Sequence, residues 1–238
     1  MLRSLGRYEE ALADFDCGLH HHSDHATGWN NRGATLDNLG RHEEALESYE
    51  KAIEVDPLNR MALTNRGISL STLGRVKDAL PSFDAALKLE PEEVGTLHSK
   101  GLALYRLGRF DEALEIYDRV LALSTDAYDT LANKALVLAE LGRSDEAMET
   151  ASRALSLAPQ TTDRSMLFAI RAKISFLMCR FGDVVADMVE AWKLNPNLVL
   201  SLRESHALFV QSFNALPSVT EEGSKLYAVL SKKRKKRA

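Results

Sequence analysis

The chain has 238 residues, 45% of them apolar, and a formal net charge of -4, enough material for one large or two ordinary globular domains. No stretch reaches the roughly 18 uninterrupted apolar residues of a membrane-spanning helix, and the first residues lack the apolar core of a signal peptide, so a soluble cytoplasmic protein is expected. Cys17 and Cys179 stand too far apart to pair, which fits a reducing compartment and excludes a disulfide framework.

Residues 1–25 hold the tripeptide Leu5-Gly6-Arg7 and one amphipathic segment carrying Tyr8, Leu12, Phe15 and Leu19. The same tripeptide returns at Leu39, Leu73, Leu107 and Leu141, each 34 residues after the last, and a fixed period of that length means a solenoid of one repeated supersecondary unit. Residues 1–25 therefore read as the second half of such a unit, either because the chain is a piece of a longer protein or because the half-unit is a cap or a self-association surface.

Four complete units follow: 26–59, 60–93, 94–127 and 128–161. Each places two apolar stripes at helical spacing around a Gly-Arg turn. Gly supplies the positive φ that ends the first helix, and Glu43, Glu44, Asp111, Glu112, Asp145 and Glu146 sit in the first turn of the second, where negative charge suits the helix dipole. Pro57, Pro91 and Pro159 stop the second helix because proline lacks the N–H and clashes with the preceding turn. Residues Ser124-Thr125-Asp126 do this in the third unit, so that junction is expected to bend differently. After Pro159 the period slips by three residues. Residues 162–198 then form a degenerate unit in which Cys179 replaces the turn glycine, Val184 the small alanine and Met188 the aromatic. Residues 199–213, with Leu200, Leu202, Phe209 and Val210, read as one helix capping the stack, and 214–238 as a tail with a basic end.

The conserved places within the period make a family resemblance specific. Trp29, Gly33, the Leu-Gly turn, Ala45, Tyr49, Ala52 and Pro57, with their counterparts in later units, resemble the tetratricopeptide repeat over about residues 1–213. The resemblance implies an all-α, right-handed superhelical solenoid of stacked antiparallel helix hairpins, whose first helices line a concave groove where partners bind. It further implies a non-catalytic protein-interaction scaffold, with the regulatory or substrate-recruiting arm of a larger enzyme such as a glycosyltransferase as the alternative.

In that frame the groove residues are Asn31, Asn65, Ser99 and Asn133, each followed by a base: Arg32, Arg66, Lys100 and Lys134. A column of amides, able to donate and accept, can hold the backbone of an extended peptide, and is similar to the asparagine ladder of the O-linked N-acetylglucosamine transferase superhelix. The bases either snorkel past the hairpin seam or meet acidic peptides. The clamp that grips chaperone C-termini in this family is not expected, because its required basic places fall on Asn30, Gly95 and Ser99. Farther on, Met166, Ile170 and Phe176 make an apolar end that either seats a partner's anchor or lies buried under residues 199–230.

His20, His21, His22 and His25 straddle a helix end, and a solvated linker explains them better than a metal site, which needs about four ligands in fixed geometry. Nothing resembles a nucleophile elbow, a phosphate-cradling loop or a paired-carboxylate site. No enzyme activity, cofactor or metal is expected. The expected partner is a protein or peptide, with a homodimer through the half-repeat as a further expectation. The run Lys232 to Arg237 leaves import signalling, contact with nucleic acid or an anionic membrane, docking on the acidic body and simple solvation all open.

Overall fold

A computed structural model describes residues 7–159, 162–197, 203–216, 218 and 220–235. Leu5, Gly6, Leu200, Leu202, Lys236 and Arg237, which the sequence reading used, lie outside them. The described residues hold thirteen α-helices and no strand, so the all-α expectation holds. The chain divides into two compact units, one running to Leu123 and the other starting at Ser124. The division falls on Ser124-Thr125-Asp126, where other hairpins end in proline.

The first unit contains α1 (Tyr8–His21), α2 (Ala26–Asn38), α3 (His42–Val55), α4 (Arg60–Thr72), α5 (Val76–Leu89), α6 (Val94–Arg106) and α7 (Phe110–Leu123). Helices α2 and α3, α4 and α5, and α6 and α7 pair as hairpins, and each hairpin packs on the next. The turn explains why Leu-Gly-Arg recurs. Gly40, Gly74 and Gly108 have φ of 75°, 78° and 73°, the left-handed region that glycine enters without strain. The next amide then reaches back to the last helical turn: Arg41 N–H donates to Leu36 O at 2.9 Å, Arg75 to Leu70 O at 2.9 Å and Arg109 to Leu104 O at 3.0 Å, closing a Schellman motif. The arginine side chain folds onto the acid three residues on, Arg41 with Glu44 and Arg109 with Glu112. These pairs are exposed and contribute little stability.

Packing inside each hairpin fixes the other repeated residues. A Cβ built on Gly33, Gly67 or Gly101 would lie 2.6 Å from a ring carbon of Tyr49, Phe83 or Tyr117 respectively, so only glycine admits the ring. Those three rings are fully buried. Leu12 of α1 joins Leu36, Ala45 and Tyr49 in one core cluster. The strip expected to be open on the N-terminal half-unit is therefore narrower than its sequence implies, because Leu12 and Leu19 are buried while Tyr8 and Phe15 are half-buried.

The second unit contains α8 (Tyr128–Glu140), α9 (Ser144–Leu157), α10 (Thr162–Leu177), α11 (Phe181–Leu194), α12 (Arg203–Ala215) and α13 (Glu221–Lys235). Cys179 has φ 57° and Arg180 N–H still bonds Ser175 O at 2.8 Å, so the degenerate hairpin α10–α11 keeps the turn geometry without its glycine. Helix α12 packs on α10 and α11 with Phe209 fully buried. The reading of 214–238 as a tail is corrected over most of its length. Helix α13 packs on α11 and α12, Leu226 is fully buried, and Tyr227 stacks on Phe213 with ring centres 4.3 Å apart. Apolar burial by Leu226 and Tyr227 outweighs the basic composition that follows them.

Candidate peptide-binding face of the first helices

The basic column is occupied with the fold itself. Arg32 Nε donates to Asp16 Oδ1 at 2.7 Å on the preceding second helix, and its Nη1 to Ser48 Oγ at 2.8 Å on its own. Arg66 donates to Ser82 Oγ at 3.0 Å and lies 3.6 Å from Glu50, while Lys100 Nζ lies 2.6 Å from Asp84 Oδ1. These three bases therefore bridge adjacent hairpins at the seam, the first of the two places that the sequence leaves open for them. The missed signal is an acid sixteen residues before each base. Lys134 holds the same repeat position on α8 and is half-buried.

The amide column lies on the faces where first helices meet. Asn65 Nδ2 donates to Asn30 Oδ1 at 3.0 Å, linking α4 to α2, and the Thr64 and Thr96 hydroxyls are 2.8 Å apart, linking α4 to α6. An amide has four hydrogen-bonding places, and the contact with Asn30 uses one at Asn65. Ser99 Oγ bonds Gly95 O in its own helix at 2.8 Å. Asn31 and Asn65 are half-buried, within reach of a molecule laid along the helices.

One turn beyond the amides the face becomes apolar. A cleft of about 140 Å³ opens between α4 and α6, lined by Ile68, Thr72, His98 and Leu102 and floored by Phe83 and Ala103. Ile68 is 41% exposed. Arg106 Nη1 donates to Ser71 O at 3.2 Å, fixing its guanidinium at the rim. The His98 ring lies 6.0 Å from the buried Tyr117 ring, whose phenol burial pushes far above its ordinary value, so it stays protonated. Sequence reasoning missed Ile68, His98, Leu102 and Arg106. Ile68 and Leu102 follow Asn65 and Ser99 by three residues, one helical turn, and that spacing was the available signal.

In the second unit, Asn133 on α8 is half-buried. Helices α8 and α10 are tied by Tyr128 Oη donating to Asp163 Oδ2 at 3.0 Å and by Lys173 Nζ to Glu140 at 3.2 Å. On α10, Met166 is exposed and Ile170 half-buried. Phe176 is half-buried with its ring 5.9 Å from Phe181 at the hairpin turn, apart from the other two along the helix. Arg171 meets Asp187 through two hydrogen bonds of 2.9 and 2.5 Å, and burial pushes that carboxyl above its ordinary value in spite of the guanidinium. Among the described residues no three His, Cys, Asp or Glu are grouped to hold a metal ion, and no helix is long and apolar enough to cross a membrane.

Known proteins place this architecture. No curated protein matches the chain. The tetratricopeptide repeat is matched at residues 26–59 and again at 64–128 and 98–161. Similar solved structures include a tetratricopeptide repeat protein from Parabacteroides merdae, 21% identical with a TM-score of 0.67 over 89% of this chain and 80% of its own. YrrB, described as a TPR protein with an unusual peptide-binding site, is 20% identical with a TM-score of 0.61 over 80% and 97%. PilF of Pseudomonas aeruginosa is 17% identical with a TM-score of 0.69 over 82% and 88%. At these identities the structures speak for the fold alone. Matched repeats across more than half its length and the hairpin fold together make this chain a member of the tetratricopeptide repeat family.

Proposed function

We propose that this chain is a non-catalytic protein-interaction scaffold that binds an extended peptide along its first helices, with one aliphatic side chain of the peptide in the cleft between α4 and α6. The observation that carries this reading is the adjacency of Ile68 and Leu102 in that cleft to Asn65 and Ser99 one turn away. The apolar pair supplies an anchor pocket, and the amide and hydroxyl supply backbone hydrogen bonds that demand no particular sequence. Arg106 at the rim favours an acidic residue beside the anchor. The helices are held by the seam ion pairs before any partner arrives, so the ordering cost falls on the peptide. Asn31 extends the polar track within the first unit. The peptide-binding site of YrrB makes the use of this fold for peptide capture reasonable here.

Selection of random peptides displayed on phage against the immobilised chain tests this. Selected peptides should share an aliphatic anchor, and Leu102→Ala should weaken them severalfold while circular dichroism stays unchanged, because the truncation removes one apolar wall of the cleft. Replacing Asn31 and Asn65 together by Ala should also weaken them, each lost hydrogen bond being worth about 0.5–1.5 kcal/mol. Peptides that bind both variants as tightly as the original chain would defeat the proposal.

A further inference from the structure

We infer a small-molecule site in the second unit, where the hairpin α10–α11 meets α9: a cleft that takes a free α-amino acid with a polar side chain. The cleft has a volume of about 310 Å³ and is lined by Met148 and Ser152 of α9, Arg171 and Ser175 of α10, and Asp183 and Asp187 of α11. That volume lies at the lower end of the range for small-molecule pockets, about 300–1,000 Å³.

Two departures from the repeat coincide there. Four residues after the seam base, the other repeats place Leu36, Leu70, Leu104 and Leu138, all buried in the core. The corresponding residue after Arg171 is Ser175. It is 1% exposed, and its hydroxyl has no hydrogen-bond partner among the described residues. Buried polar groups are paired in nearly every case, so a hydroxyl kept where four leucines complete the core calls for a polar guest. The second departure is Ser152, which stands where Asp16, Glu50 and Asp84 hold Arg32, Arg66 and Lys100. At this seam the acid has moved across to Asp187, which takes Arg171 through Nε and Nη2. The α9 wall is left with a neutral hydroxyl.

Charge narrows the guest. Arg171 is balanced by Asp187, and Arg180, also at the cleft, lies 2.6 Å from Asp183. A guest of net charge would upset that balance, whereas a zwitterion keeps it. A carboxylate is what the seam bases meet elsewhere, and one guanidinium of this chain meets two: Arg60 lies 2.7 Å from Glu90 and 3.8 Å from Glu93. Arg171 Nη1, which Asp187 does not use, and the Ser152 hydroxyl are therefore the partners of the guest carboxylate. Asp183, half-buried, is the partner of its ammonium. The Ser175 hydroxyl, able to donate and accept, meets a hydroxyl or amide on the guest side chain.

Isothermal titration of the full chain with L-serine, L-threonine, L-asparagine and L-glutamine tests this. At least one should bind saturably, and it should lose at least tenfold in affinity when either its amino or its carboxylate group is removed, as in 3-hydroxypropionate and ethanolamine for serine. Ser152→Asp restores the acid of the other seams beside Arg171 and should abolish binding. Asp183→Asn should weaken it at least tenfold and Ser175→Ala severalfold, with circular dichroism unchanged, because Ser152 is exposed and the Asp183 side chain half-exposed and alanine keeps the backbone of α10 helical. Absence of saturable binding by all four amino acids overturns the proposal. So does equal affinity for the analogue without its amino group, which marks an adventitious anion only, or a guest whose affinity Ser152→Asp and Asp183→Asn leave unchanged.

Discussion

Gly67→Val should lower the stability of the chain by about 1–3 kcal/mol through overpacking, or roughly 2–4 °C of Tm for each kcal/mol in a chain of this size. Even a Cβ at this position would come within 2.6–2.9 Å of three ring carbons of Phe83, and valine adds two methyl groups. The ring has nowhere to go, because it is fully buried in a cluster with Leu46, Leu70, Ala79 and Ala103. The damage should spread beyond one hairpin, since that cluster draws residues from three consecutive repeats and stability in a stack depends on nearest-neighbour interfaces. Thermal unfolding followed by circular dichroism checks this, and Gly18→Ala, at a glycine with open space around it, is the control that should not destabilise.

Arg171→Met should be at least as costly near neutral pH and should recover in acid. Methionine keeps much of the packing on Phe168, over which the guanidinium lies at 5.4 Å, but leaves the Asp187 carboxylate, 4% exposed, without its cation. Breaking a buried pair in this way costs about 3–5 kcal/mol, and protonation of the carboxyl caps the cost at about 4 kcal/mol at pH 7 for a group whose unfolded pKa is near 3.9. Burial already raises the Asp187 value, and loss of Arg171 removes the two influences that lower it. The native state then binds more protons than the unfolded state, so the variant loses stability as pH rises above about 4 and regains it relative to the parent as pH falls. Urea unfolding at several pH values reads the difference, and Arg171→Met combined with Asp187→Leu should restore most of the loss at neutral pH.

The readable parts of this fold are those written locally. The Leu-Gly-Arg turn is legible because positive φ, the Schellman bond and the i,i+3 ion pair all involve residues within one loop. The Gly33, Gly67 and Gly101 contacts are legible because the period aligns them with an aromatic sixteen residues on. Partners outside the hairpin were harder to read. Arg32 reads equally well as a groove residue or a seam residue until Asp16 is seen against it. Helix α13 was hidden because a dense basic block reads as solvated tail, whereas Leu226 and Tyr227 find cover on α11 and α12, a contact the local pattern does not announce. Ile68 and Leu102 were passed over because a single apolar residue on a first helix looks like core in each repeat taken alone, and only the neighbouring repeat turns the two into a cleft.

The claim that an extended peptide anchors between α4 and α6 is tested most directly by methyl NMR on the chain labelled at Ile and Leu, titrated with a selected peptide. The account predicts the largest shifts at Ile68 and Leu102, which line that cleft. Shifts centred on Ile53 of α3, with Ile68 and Leu102 unmoved, would contradict it.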